Sequence, residues 1–277
     1  MKVRAIQFSP KLGNIDNNYE FHEREINKAI NNKIDLIVFL ELSISGYHLK
    51  DIIYDISIKP NSKIIENFKN LSKQINIIIG APYEEIPGII YNSAIVFSKG
   101  EITHIHNKVQ LPNFGMFEEA MIFKSDNKFV AFELNGIKIG ILICREILFP
   151  HYAYLYFLQN TDFIIGISNS PHRCINKEGF SSLKLWENSG WVYSNLYHQN
   201  FLYVNRTGFE DGIGWPGGSF FIPSGGNIEK KAKLFEPDSF DFEINTNKIR
   251  RSRIISNNLR DEKPEIMLNE LKRLLNA

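Results

Sequence analysis

The chain is expected to fold as an α/β protein on a mixed sheet, or on two sheets packed face to face with helices outside. Three observations carry that expectation. Short strand-like runs are spread over the whole length, helical patterns separate several of them, and the strands are of two kinds. Some are apolar throughout and some alternate, which favours sheets covered unequally on their two faces. No fixed-period repeat and no low-complexity linker interrupts the pattern, so residues 1–277 read as one domain.

The elements follow in chain order. VRAIQF, from Val3, is the first strand. After the turn at Gly13 to Asp16, Tyr19, Ile26, Ala29 and Ile30 share one helical face. DLIVFLEL, from Asp35, is the second strand. Ser62 is a candidate cap for a helix carrying Ile64, Ile65, Phe68 and Leu71. NIIIGAPY from Asn76, NSAIVFS from Asn92, KFVAFEL from Lys128, KIGILIC from Lys138 and DFIIGIS from Asp162 supply further strands. Tyr152 to Leu158 and Phe180 to Tyr197 read as helices, with FLYVNRTG from Phe201 and GSFFIPSG from Gly218 as late strands. From about residue 241 the chain becomes a polar extension with Lys248, Arg250, Arg251 and Arg253. It is expected to be solvated and to cross a partner subunit. Pro264 opens a last helix with Ile266, Leu268, Leu271, Leu274 and Leu275 on its apolar side.

Composition narrows the function classes. A formal charge of +1 gives no electrostatic ground for a nucleic-acid or membrane-surface partner. No apolar run approaches the ~18 residues of a spanning helix, and the N-terminus enters a strand without a signal-peptide pattern. With two cysteines, Cys144 and Cys174, there is no disulfide framework, and a reducing cytosol is the expected setting.

The candidate chemistry lies where charges interrupt strand ends. In IGILICREILFP a buried run stops at Cys144 and is followed at once by Arg145 and Glu146. A cysteine at a strand end is ordinarily a small core residue; to act as a nucleophile it needs a nearby base or cation. None of the seven histidines forms a recognisable pair with it. His104 and His106 form an H-x-H with metal-pair spacing but have no evident third ligand, so no metal is expected. Two other stretches carry charge at strand ends. In VFLELSISGY, Glu41 breaks an apolar run before a glycine turn; a carboxylate there is costly unless paired or used. In HNKVQLPNFGMFEE, Lys108 ends a strand and an aromatic loop leads to Glu118 and Glu119.

Together these stretches resemble the nitrilase superfamily, the carbon–nitrogen hydrolases. Glu41 to Tyr47 is similar to that family's E-L-x-x-x-G-Y setting. Lys108, Leu111, Pro112, Phe117 and Glu119 match its K-x-x-L-P-x-x-x-x-F-x-E loop, and Cys144 with Glu146 matches its nucleophile segment. YNSAIVFSKG, SNSP from Ser168, VNRTG from Val204 and WPGGSFFIPSGG from Trp215 extend the likeness over nearly the whole chain. The Glu41 segment and the L-P-N-F loop look most like the glutamine-amidohydrolase domain of NAD synthetases and its stand-alone relatives. Arg145 departs from the aromatic or acidic residue commoner after the nucleophile.

The resemblance implies a four-layer α-β-β-α sandwich and a Glu–Lys–Cys triad of Glu41, Lys108 and Cys144. Glu119 is implied as a second acid that orients Lys108 or the water, and Glu146 as structural. The implied reaction is hydrolysis of a small linear amide to an acid and ammonia, with nitriles and N-carbamoyl amines as alternatives. A fold-sharing scaffold that has lost activity is the alternative from a different class. No cofactor is implied. Tyr47, Phe114, Arg145 and Asn169 are candidate substrate contacts. Phe149, His172, Arg173 and Trp215 are further candidates for the pocket wall, and Cys174 is expected to be incidental. A homodimer or higher homo-oligomer is expected.

Overall fold

The structure, a computed structural model, describes residues 1–172, 175–176 and 179–276. Six strands form the first sheet: β1 (Lys2–Gln7), β2 (Leu36–Val38), β3 (Asn76–Ile86), β4 (Ile89–Ser98), β5 (Glu101–Asn107) and β16 (Asp238–Glu243), in the order β16-β1-β2-β3-β4-β5. The second holds β6 (Phe132–Leu134), β7 (Ile137–Ile143), β8 (Phe163–Ser168), β11 (Asn200–Asn205), β14 (Phe220–Ile222) and β15 (Lys230–Lys231), in the order β15-β14-β11-β8-β7-β6. Two small two-stranded ribbons join β9 (Ile175–Asn176) to β10 (Gly179–Phe180), and β12 (Thr207–Glu210) to β13 (Ile213–Pro216).

The longer helices are α1 (Ile15–Asn31), α3 (Lys63–Leu71), α5 (Pro150–Leu158), α6 (Ser181–Leu196), α7 (Thr246–Ser256) and α9 (Pro264–Leu275). The shorter α2 (Ile53–Ile56), α4 (Glu119–Ile122) and α8 (Asn258–Asp261) lie in connections. α3 packs on α1 and β4, while α5 packs on β7 and α6 on β11 and β14. Between the sheets β1 meets β11 and β4 meets β7. The result is the four-layer α-β-β-α sandwich, with one apolar core running through both sheets.

Strand direction sets where the site falls. β1, β2 and β3 are parallel, and β5 returns to their direction through two antiparallel pairings. In the second sheet β7, β8 and β11 are parallel. Glu41, Lys108, Cys144 and Asn169 therefore all follow carboxyl ends of strands, the place where open α/β sheets gather ligands.

Several elements differ from the expectation. The second strand stops at Val38 because Leu40 to Leu42 climb over Gly80: a Cβ there would lie 2.5 Å from the Leu40 carbonyl oxygen. KFVAFEL pairs only over Phe132–Leu134. Before that the Gln159 side chain takes the place of a neighbouring strand, accepting from Ala131 N–H at 2.9 Å and donating to the Phe129 carbonyl at 2.9 Å. Ser62 stands at the N-cap of α3, yet its hydroxyl makes no capping bond. The extension starts later than residue 241, because β16 pairs with β1 along its whole length. α7 is tied to the domain by buried Ile249 and by Arg253 Nη1 on Asp162 Oδ1 at 3.0 Å. α9 keeps an uncovered apolar side, with Ile266, Leu268 and Leu271 about half exposed.

Candidate active site

Glu41 sits in the turn that leaves β2. That turn is held from behind by α1: Asn18 Nδ2 donates to the Ile44 carbonyl at 2.9 Å, and His22 Nε2 meets Ser43 Oγ at 3.0 Å. Burial drives His22 down to about 4, so the ring is neutral and serves as a hydrogen-bonding strut. From the opposite sheet Asn169 donates twice, its N–H to Glu41 Oε2 at 2.6 Å and its Nδ2 to the Glu41 carbonyl at 2.5 Å. Glu41 has 0% exposure.

Lys108 is likewise fully buried at the end of β5. Its Nζ donates to Glu41 Oε1 at 2.6 Å and to Glu119 Oε1 at 2.8 Å. Taking an ammonium out of water costs several kcal/mol even after relaxation. The two carboxylates more than offset that, since the ammonium is held above its ordinary range despite its burial. The loop from Lys108 returns as the sequence suggests, with the Glu119 N–H donating to the Pro112 carbonyl at 3.1 Å. Glu119 also accepts the Tyr47 hydroxyl at 2.5 Å. Burial raises its carboxyl and the Glu41 charge adds to that, against the pull of Lys108.

Cys144 closes β7 at φ +48°, a left-handed conformation unusual for a side chain that is not glycine. It begins a tight 3₁₀ turn, Cys144–Leu148, and is 7% exposed. Burial and the neighbouring Glu41 charge push the thiol up to about 12, opposed by Lys108 and the Ser168 hydroxyl. With the thiol raised that far above neutrality, the resting sulfur is protonated and needs a base to react. In front of it opens a cleft of about 150 Å³, with Pro112, Phe114, Phe117, Arg145, Leu185 and Trp186 among its walls.

The four expected catalytic residues therefore converge, but the expected substrate contacts divide. Phe114 and Arg145 line the cleft. Tyr47 and Asn169 do not; they stand behind Glu119 and Glu41 and fix them. Trp215 is fully buried with its Nε1 on the Asn169 carbonyl at 3.2 Å. Phe149 lies beneath the Arg145 guanidinium at 5.6 Å, and His172 bonds its backbone N–H to the Gly214 carbonyl. Neither borders the cleft. Arg173 and Cys174 lie outside the described residues. The H-x-H pair is used in packing: His104 stacks on Phe132 at 4.4 Å and His106 bonds Glu146. Among the described residues no group of three His, Cys, Asp or Glu could hold a metal.

Sequence reasoning passed over Asn92, which is fully buried on β4 and donates from Nδ2 to Glu41 Oε1 at 2.8 Å and to Glu119 Oε2 at 3.4 Å. The signal was available, because an amide inside an apolar strand needs partners. It also passed over Glu210, which accepts the N–H groups of Tyr47 and His48 at 3.3 and 2.9 Å and pairs with Arg206 at 2.8 Å. That carboxylate fixes the end of the Glu41 turn from a ribbon more than 160 residues away.

A family model described as "Carbon-nitrogen hydrolase" matches residues 2–254. The glutamine-dependent NAD(+) synthetase of Acinetobacter baylyi is 29% identical over 258 residues, covering 91% of this chain and 46% of that protein. The chain thus spans about half the length of the synthetases among the curated relatives it matches. A protein named nitrilase from Pyrococcus abyssi is 27% identical over 174 residues, 61% of this chain and 65% of that one. Among solved structures, a carbon-nitrogen hydrolase from Helicobacter pylori superposes with a TM-score of 0.87 over 99% of both chains at 21% identity, a likeness of fold. Among the described residues no helix is long and apolar enough to cross a membrane.

Proposed function

The chain belongs to the carbon–nitrogen hydrolase family, and on that premise we propose that it hydrolyses a small linear amide to a carboxylic acid and ammonia through a thioester on Cys144. The observation that carries this reading is the buried Glu41–Lys108–Glu119 cluster beside a thiol held at a strained strand end. A lysine locked between two acids is an expensive arrangement for packing alone. It suits a site that must stabilise negative charge on a substrate atom.

In this reading Glu41 takes the Cys144 proton as the sulfur attacks the amide carbon. The oxygen gains the charge and is met by the Lys108 ammonium and the Arg145 N–H. Glu41 returns the proton to the nitrogen, the C–N bond breaks and ammonia leaves. Glu41 then activates a water, which attacks the thioester; the acid departs and the thiol is restored. Glu119 holds Lys108 in place throughout. The ammonium and a backbone donor supply the oxyanion charge, so the scheme calls on no metal or organic group.

Glutamine is the first substrate to try, since the curated relatives include glutamine-dependent synthetases. Nitriles are the second, on the strength of the relative named nitrilase. The test is ammonia release over glutamine, aliphatic amides, nitriles and N-carbamoyl amines, with intact-mass detection of an acyl adduct. Release from amides that vanishes in Cys144→Ala supports the reading. Amides, nitriles and N-carbamoyl amines that all stay intact would instead favour a scaffold. We further propose a cytosolic protein without nucleic-acid or membrane partners, assembled as at least a homodimer through the apolar side of α9. A stable monomer in light scattering at micromolar concentration would remove the assembly claim.

A further inference from the structure

We propose that Arg145 is the specificity residue of the cleft and selects amides that carry a carboxylate at the end of a short chain. The inference rests on the amidase reading above and adds the substrate's charge and length.

Arg145 follows Cys144 directly, so its side chain is committed to the cleft that the sulfur faces. Its guanidinium lies 4.4 Å from the Phe114 ring centre and 5.6 Å from that of Phe149. Stacking on aromatic faces favours the planar cation and limits its rotation. Yet it forms no ion pair with any described residue, and no Asp or Glu is among the described residues that line the cleft. The acids of the site are spent on Lys108, with Glu41 and Glu119 both bonded to its Nζ. A half-buried, pre-oriented guanidinium that no carboxylate among the described residues pairs with, in a mostly apolar cleft, suits a planar two-oxygen anion.

Size sets the other end of the argument. About 150 Å³ is well below the ~300–1,000 Å³ of clefts that take drug-sized ligands. The occupant is therefore a short molecule with its amide at Cys144 and its carboxylate at Arg145. Monoamides of short dicarboxylic acids, glutamine among the amino-acid versions, have that form. The Arg145 backbone N–H, used for the oxyanion, is unaffected by side-chain substitutions, which lets the two roles be separated.

The test compares glutaramate with pentanamide, amides of equal chain length that differ in the terminal carboxylate. In the native protein kcat/KM for glutaramate should exceed that for pentanamide by at least about 10²-fold, the scale for losing a partner of a built polar contact. In Arg145→Gln the ratio should fall to near one, and Arg145→Lys should lie between, keeping charge without the fork. Equal rates on the two amides in the native protein would overturn the inference while leaving the amidase reading intact. A second measurement does not depend on turnover: calorimetric titration of glutaramate into Cys144→Ala. Binding should weaken at least tenfold when Arg145→Gln is added. If glutaramate binds no better than pentanamide there, or survives the loss of Arg145 unchanged, the inference fails whatever the reaction.

Discussion

Two buried carboxylate systems flank Cys144, and they are built in opposite ways. Glu146, two residues after the sulfur, accepts backbone N–H groups from Ile143 at 2.7 Å and Val109 at 2.6 Å, and Nε2–H of His106 at 2.8 Å. It fastens the end of β5, where Lys108 begins its loop, to the turn that carries Cys144. Glu41 and Glu119 instead share one ammonium and one amide, those of Lys108 and Asn92. An acid satisfied mainly by backbone groups has its charge tied to the fold. Two acids on one side-chain cation, facing a thiol, hold charge and protons that a reaction can use. Both systems are buried, so burial alone does not separate the structural acid from the reactive one; the identity of the donors does.

That contrast can be broken or sharpened by substitution. The largest effect is expected for Glu41→Gln, which keeps the shape and removes the base: turnover should fall by about 10³-fold or more, against the 10²–10⁴ range for a lost acid–base group. Lys108→Met leaves two buried acids without their cation and should cost about 3–5 kcal/mol of stability in denaturant titration, besides ending turnover. Glu119→Gln should lower turnover by roughly 10²-fold with the fold retained, while Glu118→Gln, at an exposed position, should be nearly silent. Glu146→Gln should show the reverse balance, losing about 1–3 kcal/mol of stability as one acceptor becomes a donor facing N–H groups. Its effect on turnover should be the smaller one. A Glu146→Gln protein as stable as the native one but dead in turnover would erase the distinction.

The thiol offers the subtlest test. With Cys144 raised to about 12, its alkylation by iodoacetamide, followed by peptide mass mapping, should rise about tenfold per pH unit up to pH 9 without a plateau. A plateau near pH 7 would mean a resting thiolate and would make a separate base unnecessary.

Glu41 and Lys108 were legible because each ends an apolar or strand-like run with a charge that such a run does not tolerate cheaply, whereas Cys144, an ordinary core residue by itself, and Glu119, at the end of a loop, stood out only beside them. Their chain order then fitted a known arrangement. The roles of Tyr47 and Asn169 were not legible. Sequence places both near the site but cannot say on which side of a carboxylate a side chain will stand, and here both stand behind it. The limits of the fold reading have similar causes. β16 looked like a polar tail because it is an edge strand whose alternate side chains face water, with Phe242 the buried member of the run DSFDFE. The early end of β2 depends on the close approach of a distant residue, Gly80, which no local pattern announces.

The central claim is that Cys144 carries the substrate's acyl group while Glu41 and Lys108 manage proton and charge. It is tested most directly by acid-quenching the native protein and Glu119→Gln during turnover of an amide that releases ammonia, then mapping the adduct. The account predicts an acyl group, the substrate less ammonia, on the peptide bearing Cys144, enriched in Glu119→Gln if its thioester hydrolysis is slowed. It predicts no adduct and no ammonia in Cys144→Ala. Ammonia release persisting in Cys144→Ala, or an acyl group mapped to another residue, would contradict it.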